Sequence, residues 1–332
     1  MPYLVSVIIT CYNLERYVGA AIESVLSQRY DDGQVDLIVV DDCSTDSSSD
    51  VIHRYPQVRY LQMPRNSGVL LATVTGLREA KGDVVLFLDG DDLWHPDKLS
   101  LMTRRFEEQP DLGLLTHDLE FIDGNGNPIT QAARPGEVMA GVPADAEDRM
   151  IREGILSHAD YVWLGSAFAV KKSAIDADGF SRWAEELPDP ANTYQGWPLA
   201  CWAAIRSQAR MGYLPQKLLK YRLHGANHSG DAGTPEKAVR NLSRTYNTVL
   251  AISELLARAE NLPAQAQSQI RRKLRMSRYL LDLYRGQRIR ALAGYAVNVP
   301  YMLSSGLSLS KETMRFIAIQ LLGVRGFIRV FK

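Results

Sequence analysis

The stretch Asp89-Gly90-Asp91-Asp92 brings three carboxylates within four residues, directly after the apolar run Val84 to Leu88. Side chains alternate along an extended backbone, so Asp89 and Asp91 point to one side, and Gly90 lets something approach closely between them. Carboxylates crowded at a strand end repel one another unless a cation sits among them. Hard oxygen ligands of this kind suit Mg²⁺ or Mn²⁺, ions that typically hold a substrate phosphate as well. The plainer alternative is an acidic turn that caps the next helix. Three acids after a fully apolar strand favour the metal–phosphate site.

Such a site needs elements to place it. Val84 to Leu88 reads as a strand buried on both faces, as in a parallel sheet covered by helices. Leu4 to Thr10 and Asp36 to Val40 read the same way, and Val58 to Gln62 is a short third strand. Between them lie helical spacings at Glu15 to Gln28, after the N-cap types Ser44, Thr45 and Asp46, and from Asn66-Ser67-Gly68 to about Ala80, with Gly82 as a C-cap. Pro96 suits the first turn of a helix reaching about Gln109. Strand and helix alternating at this spacing predict an α/β fold with a doubly wound sheet, whose ligands bind beyond the carboxyl ends of the strands. Thr10-Cys11-Tyr12-Asn13, Asp41-Asp42 and Asp89 to Asp92 all fall there. Tyr12 can stack on a base or simply pack half-buried, and Asp42 can accept from a base edge or a ribose. A glycine-rich dinucleotide fingerprint and a G-x-x-x-x-G-K-[ST] loop are both missing, so phosphate falls to a metal.

The remaining composition is ordinary. The 332 residues carry 46% hydrophobic and 23% charged residues and no net charge, enough for one large domain or two. Charge is nonetheless uneven: residues 271–332 hold 13 Lys/Arg against Asp282 and Glu312, a net of +11, leaving −11 for residues 1–270. A basic tail of this kind fits an anionic membrane surface, and no nucleic acid partner is expected. Cys11, Cys43 and Cys201 are odd in number and lack C-x-x-C spacing, so neither a disulfide framework nor zinc is expected. No basic n-region precedes the first strand and no apolar run of about 18 residues exists. A cytoplasmic protein is expected, with peripheral contact to the inner membrane face as the added alternative.

Several segments together resemble the family 2 glycosyltransferases with the GT-A fold. They are Ser6 to Asn13, Ile38 to Asp46, Asn66-Ser67-Gly68 and Leu88 to Asp92, in the family's order and spacing over residues 3 to about 110. Weaker likeness continues through Gly165-Ser166-Ala167 and Tyr221 to Asn227. The resemblance implies a GT-A domain over residues 1–232 and a helical C-terminal region over 233–332. It implies nucleotide binding by Thr10, Tyr12, Asn13, Asp42, Asn66, Asp89, Asp91 and Arg222, with Asp42 on the base. Asp89-Gly90-Asp91 matches the DxD motif, and Asp91 and Asp92 flank the position expected for the diphosphate and its metal. An Arg at 222 would clamp phosphate, with His224 beside it as a weaker candidate.

One departure concerns the general base. The family normally carries a Glu-Asp-Trp-like motif at the start of a helix, and here the corresponding place reads Gln195-Gly196-Trp197. Neither Gln195 nor Gly196 takes a proton, so Asp189 is the expected replacement, with a turn role between Pro188 and Pro190 as its alternative. Glu185 and Glu186 lie further back. Asp123 to Pro128 signals a turn, and residues 134 to 160 read as a loop plus a short helix. From about Thr234 the chain reads as helical, either a bundle with solvated arginines or a basic amphipathic anchor.

Three functions follow. The first is a metal-dependent inverting hexosyltransferase that moves a sugar from a nucleotide diphosphate, UDP being expected, to a saccharide or lipid-linked acceptor of cell-surface polysaccharide. The second is a noncatalytic nucleotide-sugar-binding module, motivated by Gln195 and Gly196. The third, a sugar nucleotidyltransferase, would want a Gly-rich basic loop where Thr10 to Glu15 stands, and that sequence is not one.

Overall fold

The computed structural model describes residues 3–30, 33–129, 144–157, 165–207, 209–224, 234–259, 262, 264–304 and 309–330. The chain divides into two compact units, Met1–Leu223 and His224–Lys332. The boundary expected between residues 232 and 233 lies outside the described residues, as do Gly225-Ala226-Asn227 and most of the loop expected at 134–143 and 158–160.

The first unit is built on one mixed sheet. Its first half alternates β1 (Leu4–Cys11), α1 (Val18–Leu26), β2 (Gln34–Asp41), α2 (Ser48–Ile52), β3 (Arg59–Gln62), α3 (Val69–Glu79) and β4 (Val84–Asp89). These four strands run parallel, in the order β3-β2-β1-β4. Val5, Val7, Ile8 and Ile9 are all fully buried, as are Val84, Val85 and Leu86. Each such side chain contributes roughly 1.5–3 kcal/mol. That is why the strands read as unbroken apolar runs.

The second half completes the sheet. It holds β5 (Leu93–Trp94), α4 (Lys98–Glu108), β6 (Leu112–Asp123), β7 (Pro128–Ile129), α5 (Ala144–Ser157), β8 (Ala169–Lys171), α6 (Ala177–Glu185), α7 (Gly196–Arg206) and β9 (Arg210–Leu223). Strand β8 joins β4 to β6 antiparallel, whereas β6 and β9 pair in parallel. The 123–128 turn forms as expected. Asp123 Oδ1 accepts the backbone N–H groups of Asn125 and Asn127, and Gly126 takes φ 91°.

Gly82 differs from expectation. Helix α3 stops at Ala80 in an extended conformation, and Gly82 instead lies against β1, where an added Cβ would stand 2.3 Å from the Ser6 nitrogen. Close approach to a neighbouring strand, not a left-handed cap, requires the glycine there.

The second unit is helical: α8 (Pro235–Ala257), α9 (Ala264–Tyr284), α10 (Arg288–Ser304) and α11 (Leu309–Val330). Thr234 caps α8 by accepting from Lys237 N–H, with Pro235 in the first turn. Tyr279, Leu283, Ala291, Met302 and Ile319 form its core.

Candidate functional site

The register of β1 against β4 sets Thr10 beside Asp89, and the register of β1 against β2 sets Cys11 beside Asp41. Three polar strand ends therefore meet at one edge of the sheet. Thr10 Oγ1 donates to Asp89 Oδ1 at 3.2 Å. The chain then turns sharply: Gly90 N–H donates to Thr10 O and Asp92 N–H to Asp89 O. A Cβ on Gly90 would sit 2.9 Å from Thr10 O, so the turn holds close to β1 only with glycine there.

Each acid has its own surroundings. Asp89 Oδ1 also accepts from Gln195 Nε2 at 2.8 Å, and the Asp89 N–H donates to Ser166 Oγ at 3.1 Å. Burial, and then the charge of Asp91, push the Asp89 carboxyl up to about 6, against the hydrogen bonds from Thr10, Ser166 and Gln195. Asp91 is half-buried. Asp92 is only 1% exposed; its Oδ1 accepts the Arg222 N–H at 2.8 Å, while its Oδ2 is buried without a hydrogen-bond partner. Burial, then Asp91 and Asp89, raise its carboxyl well above the usual range.

A buried cation lies behind these acids. Lys98, with no exposed surface, donates from Nζ to Ser166 O at 2.7 Å and stands 4.2 Å from the centre of the Trp94 ring. Desolvation pulls its ammonium well below the usual range, opposed by the charge of Asp92. His117 is buried as well and is held neutral by desolvation and by the charge of Lys98. One signal for Lys98 was available in the sequence. A lysine in the first turn of a helix opposes the macrodipole and needs a compensating partner. The contact of Gln195 with Asp89 had no local signal.

Asp42 is buried beside these strand ends. Its two oxygens accept the backbone N–H groups of Ser67 and Gly68, each at 2.7 Å, and so cap α3. Desolvation raises its carboxyl, and those two N–H groups oppose the rise. Gly68 takes φ 88°, and an added Cβ would lie 2.4 Å from Ala191 O. The Pro190–Asn192 turn, which follows Asp189, therefore closes directly over the capped end of α3. Asp189 accepts from Asn192 Nδ2 on both oxygens, at 3.0 and 3.1 Å.

The remaining expected residues have the following surroundings. Arg222, expected to clamp phosphate, donates from Nε to Asp91 O at 2.6 Å, reaches the Asp123 and Gly124 carbonyls with Nη1, and lies over the Tyr17 ring. It braces the acidic turn. Asn13, at φ 54°, accepts the Thr45 N–H on Oδ1 and donates its own N–H to Ser44 Oγ, tying the loop after β1 to the loop after β2. Tyr12 is half-buried and Asn66 exposed. Glu185 forms a two-pronged ion pair with Arg78. A hollow of about 480 Å³ lies toward the opposite strand ends, near Asp111, Lys171 and Arg206, and holds none of the expected site residues.

The sequence model of glycosyl transferase family 2 matches residues 6–172. The chain belongs to that family. An uncharacterized glycosyltransferase of Nostoc sp. is 31% identical over 266 residues, 76% of each chain. A beta-1,3-glucosyltransferase of Escherichia coli, WfgD, is 31% identical over 140 residues, covering 42% of this chain and 51% of its own. Among solved structures, residues 1–349 of Staphylococcus aureus TarS in complex with UDP-GlcNAc align with a TM-score of 0.58 at 18% identity, over 91% of this chain and 92% of that one. A mannosyltransferase from Pyrobaculum calidifontis, in complex with GDP-Man and Mn²⁺, aligns at TM-score 0.52 and 16% identity, over 99% and 86%. At such identities the likeness carries the fold alone. The first unit of this family 2 chain has the GT-A fold, and among the described residues no helix is long and apolar enough to cross a membrane.

Proposed function

We propose that this family 2 glycosyltransferase is a metal-dependent inverting enzyme that moves a hexosyl group from a UDP-linked donor to a saccharide or lipid-linked acceptor of cell-surface polysaccharide. The observation that carries the reading is the convergence of Thr10, Asp89, Asp91 and the Asp42-capped end of α3 on one sheet edge. Names of relatives agree in kind: WfgD is a UDP-Glc:alpha-D-GlcNAc-diphosphoundecaprenol glucosyltransferase, and TarS was solved with UDP-GlcNAc.

A divalent ion fits these residues. Asp89 and Asp92 are raised by burial and by neighbouring negative charge, and Asp92 Oδ2 lacks a hydrogen-bond partner, so a cation nearby would relieve repulsion. Among the described residues no three His, Cys, Asp or Glu side chains form a full ligand set. Mg²⁺ or Mn²⁺ bound through one or two carboxylates and substrate phosphates needs no such set. We assign the holding role to the expected pair Asp91 and Asp92, since Asp92 Oδ2 is left without a hydrogen-bond partner whereas Asp89 Oδ1 already accepts from Thr10 and Gln195. When bound, the ion would neutralise charge on the departing diphosphate. Asp42 accepts from the base or ribose, Tyr12 flanks it, and Asn13 and Asn66 shape the loops on either side. Asp189 takes the proton of the attacking acceptor hydroxyl.

A second reading, a noncatalytic nucleotide-sugar-binding module, draws on the Gln195–Asp89 hydrogen bond, which occupies the place of the family's acid. One experiment separates the two. Turnover of UDP-, GDP- and dTDP-sugars with Mn²⁺ is measured, with acceptor extract, for the wild type, Asp91→Asn and Asp189→Asn. Metal-dependent turnover lost in both variants supports the enzyme with Asp189 as base. Binding lost only in Asp91→Asn, with no turnover of any donor, supports the binding module.

A further inference from the structure

The helical unit carries an inverted surface. Among the described residues ten large hydrophobic side chains are exposed, and eight of them lie between Ile289 and Leu322, on α10 and α11. Ile289 is 87% exposed and Leu321 78%. Soluble surfaces do not ordinarily gather apolar side chains at this density.

The pattern on α10 is one continuous face. At 100° per residue, Ile289, Leu292, Ala296, Val297, Pro300 and Leu303 fall within an arc of about 140°, and all six are exposed. Arg288 and Arg290, both exposed, fall at the two borders of that arc. Ala291, Asn298 and Met302, on the opposite side, are buried. No residue between Arg290 and Lys311 is charged. Helix α11 repeats the arrangement: Met314, Ile317, Leu321 and Leu322 are exposed, while Ile319 opposite them is buried in the unit's core. Both helices therefore present one apolar stripe to their own core and a second one outward.

We infer that the outward faces of α10 and α11 lie in the interface of an anionic lipid bilayer, their aliphatic side chains among the acyl chains and the flanking arginines at the headgroups. The charge decides among occupants. Residues 271–332 carry a net of +11, so a second copy of the same surface would bring like charge against like, whereas anionic headgroups complement it. Arginines bordering an aliphatic stripe match the depth at which such a helix rests, its long side chains reaching back to the phosphates. The inference stands apart from the catalytic reading, since binding to lipid involves no turnover.

The test is flotation of the full-length chain with vesicles of phosphatidylglycerol and phosphatidylcholine, and with phosphatidylcholine vesicles alone. The wild type is expected to float with the anionic vesicles, less at high salt. The combined variant Ile289→Asn, Leu292→Asn, Leu303→Asn is expected to partition at least about tenfold more weakly. Arg288→Gln with Arg290→Gln, which leaves the apolar face intact, is expected to reduce only the preference for anionic lipid. Unchanged circular dichroism melts show that each variant folds. A wild type that stays in the soluble fraction with anionic vesicles overturns the inference. So does an apolar-face variant that floats like the wild type, or one whose sole change is a smaller oligomer, which would assign the face to a second copy.

Discussion

The acidic strand ends of the first unit and the last two helices of the second break the usual rule of burial in opposite directions. At the strand ends charge is taken inside: Asp92 and Lys98 are buried, and His117 is buried and neutral beside them. On α10 and α11 apolar surface is left outside, against only Leu26 and Val35 among large side chains elsewhere in the described residues. Burying charge costs several kcal/mol unless a partner compensates it. Exposing aliphatic surface costs roughly 25 cal/mol per Å² unless something covers it. The proposed partners match these two departures, a cation with a diphosphate at the strand ends and a lipid surface on the helices.

Substitutions can break or sharpen that contrast. The largest effect is expected from Asp91→Asn. Transfer should fall about 10²–10³-fold, the usual loss for one electrostatic contact to a transition state. Its urea midpoint should not fall, because the like charge pressing on Asp89 and Asp92 is removed. Activity lost without stability marks a site held against its own repulsion. Lys98→Met reverses that signature. It leaves the Ser166 carbonyl without its donor and Asp92 without its nearby cation, and should cost about 3 kcal/mol in urea unfolding.

The response to pH comes next. The Asp89 carboxyl sits at about 6 in the folded chain, above its ordinary value of 3.8. Between those values the folded state binds the extra proton, so stability falls as pH rises through this window. Urea midpoints measured in chelator should show the fall, and Asp91→Asn should reduce it. The smallest effect belongs to the other region. Leu292→Gln exchanges one exposed side chain for another good helix former, and its unfolding free energy should stay within about 0.5 kcal/mol of the wild type. A larger loss would mean that the outward face of α10 is packed in solution.

Much of the first region was legible because parallel strands covered on both faces must be apolar throughout. The runs at Leu4, Leu37 and Val84 therefore announced themselves, and the acids at their ends fell where such sheets bind ligands. What escaped depends on long-range meetings. Gln195 reaches Asp89 across 106 residues, and Lys98 reaches Ser166 across 68. No local pattern encodes the first, and the lysine in the first turn of α4 signals a need for a partner without saying which. Arg222 was expected from the family resemblance to clamp phosphate; the backbone carbonyls of Asp91, Asp123 and Gly124 and the Tyr17 ring that surround it have no local signal either. On α10 and α11 periodicity failed for a different reason. Apolar residues lie on both sides of each helix, so spacing alone does not say which face is inward.

On the proposed reading, the carboxylates at the end of β4 hold a nucleotide diphosphate through a divalent ion. Calorimetric titration of UDP into the full chain tests it directly, with Mn²⁺, with chelator, and in Asp91→Asn with Mn²⁺. UDP is common to every UDP-sugar, so the donor sugar need not be known. Saturable binding is expected with Mn²⁺, weakening at least about tenfold in chelator and in the variant. Equal affinity in all three titrations, or no binding of UDP with Mn²⁺, would contradict it.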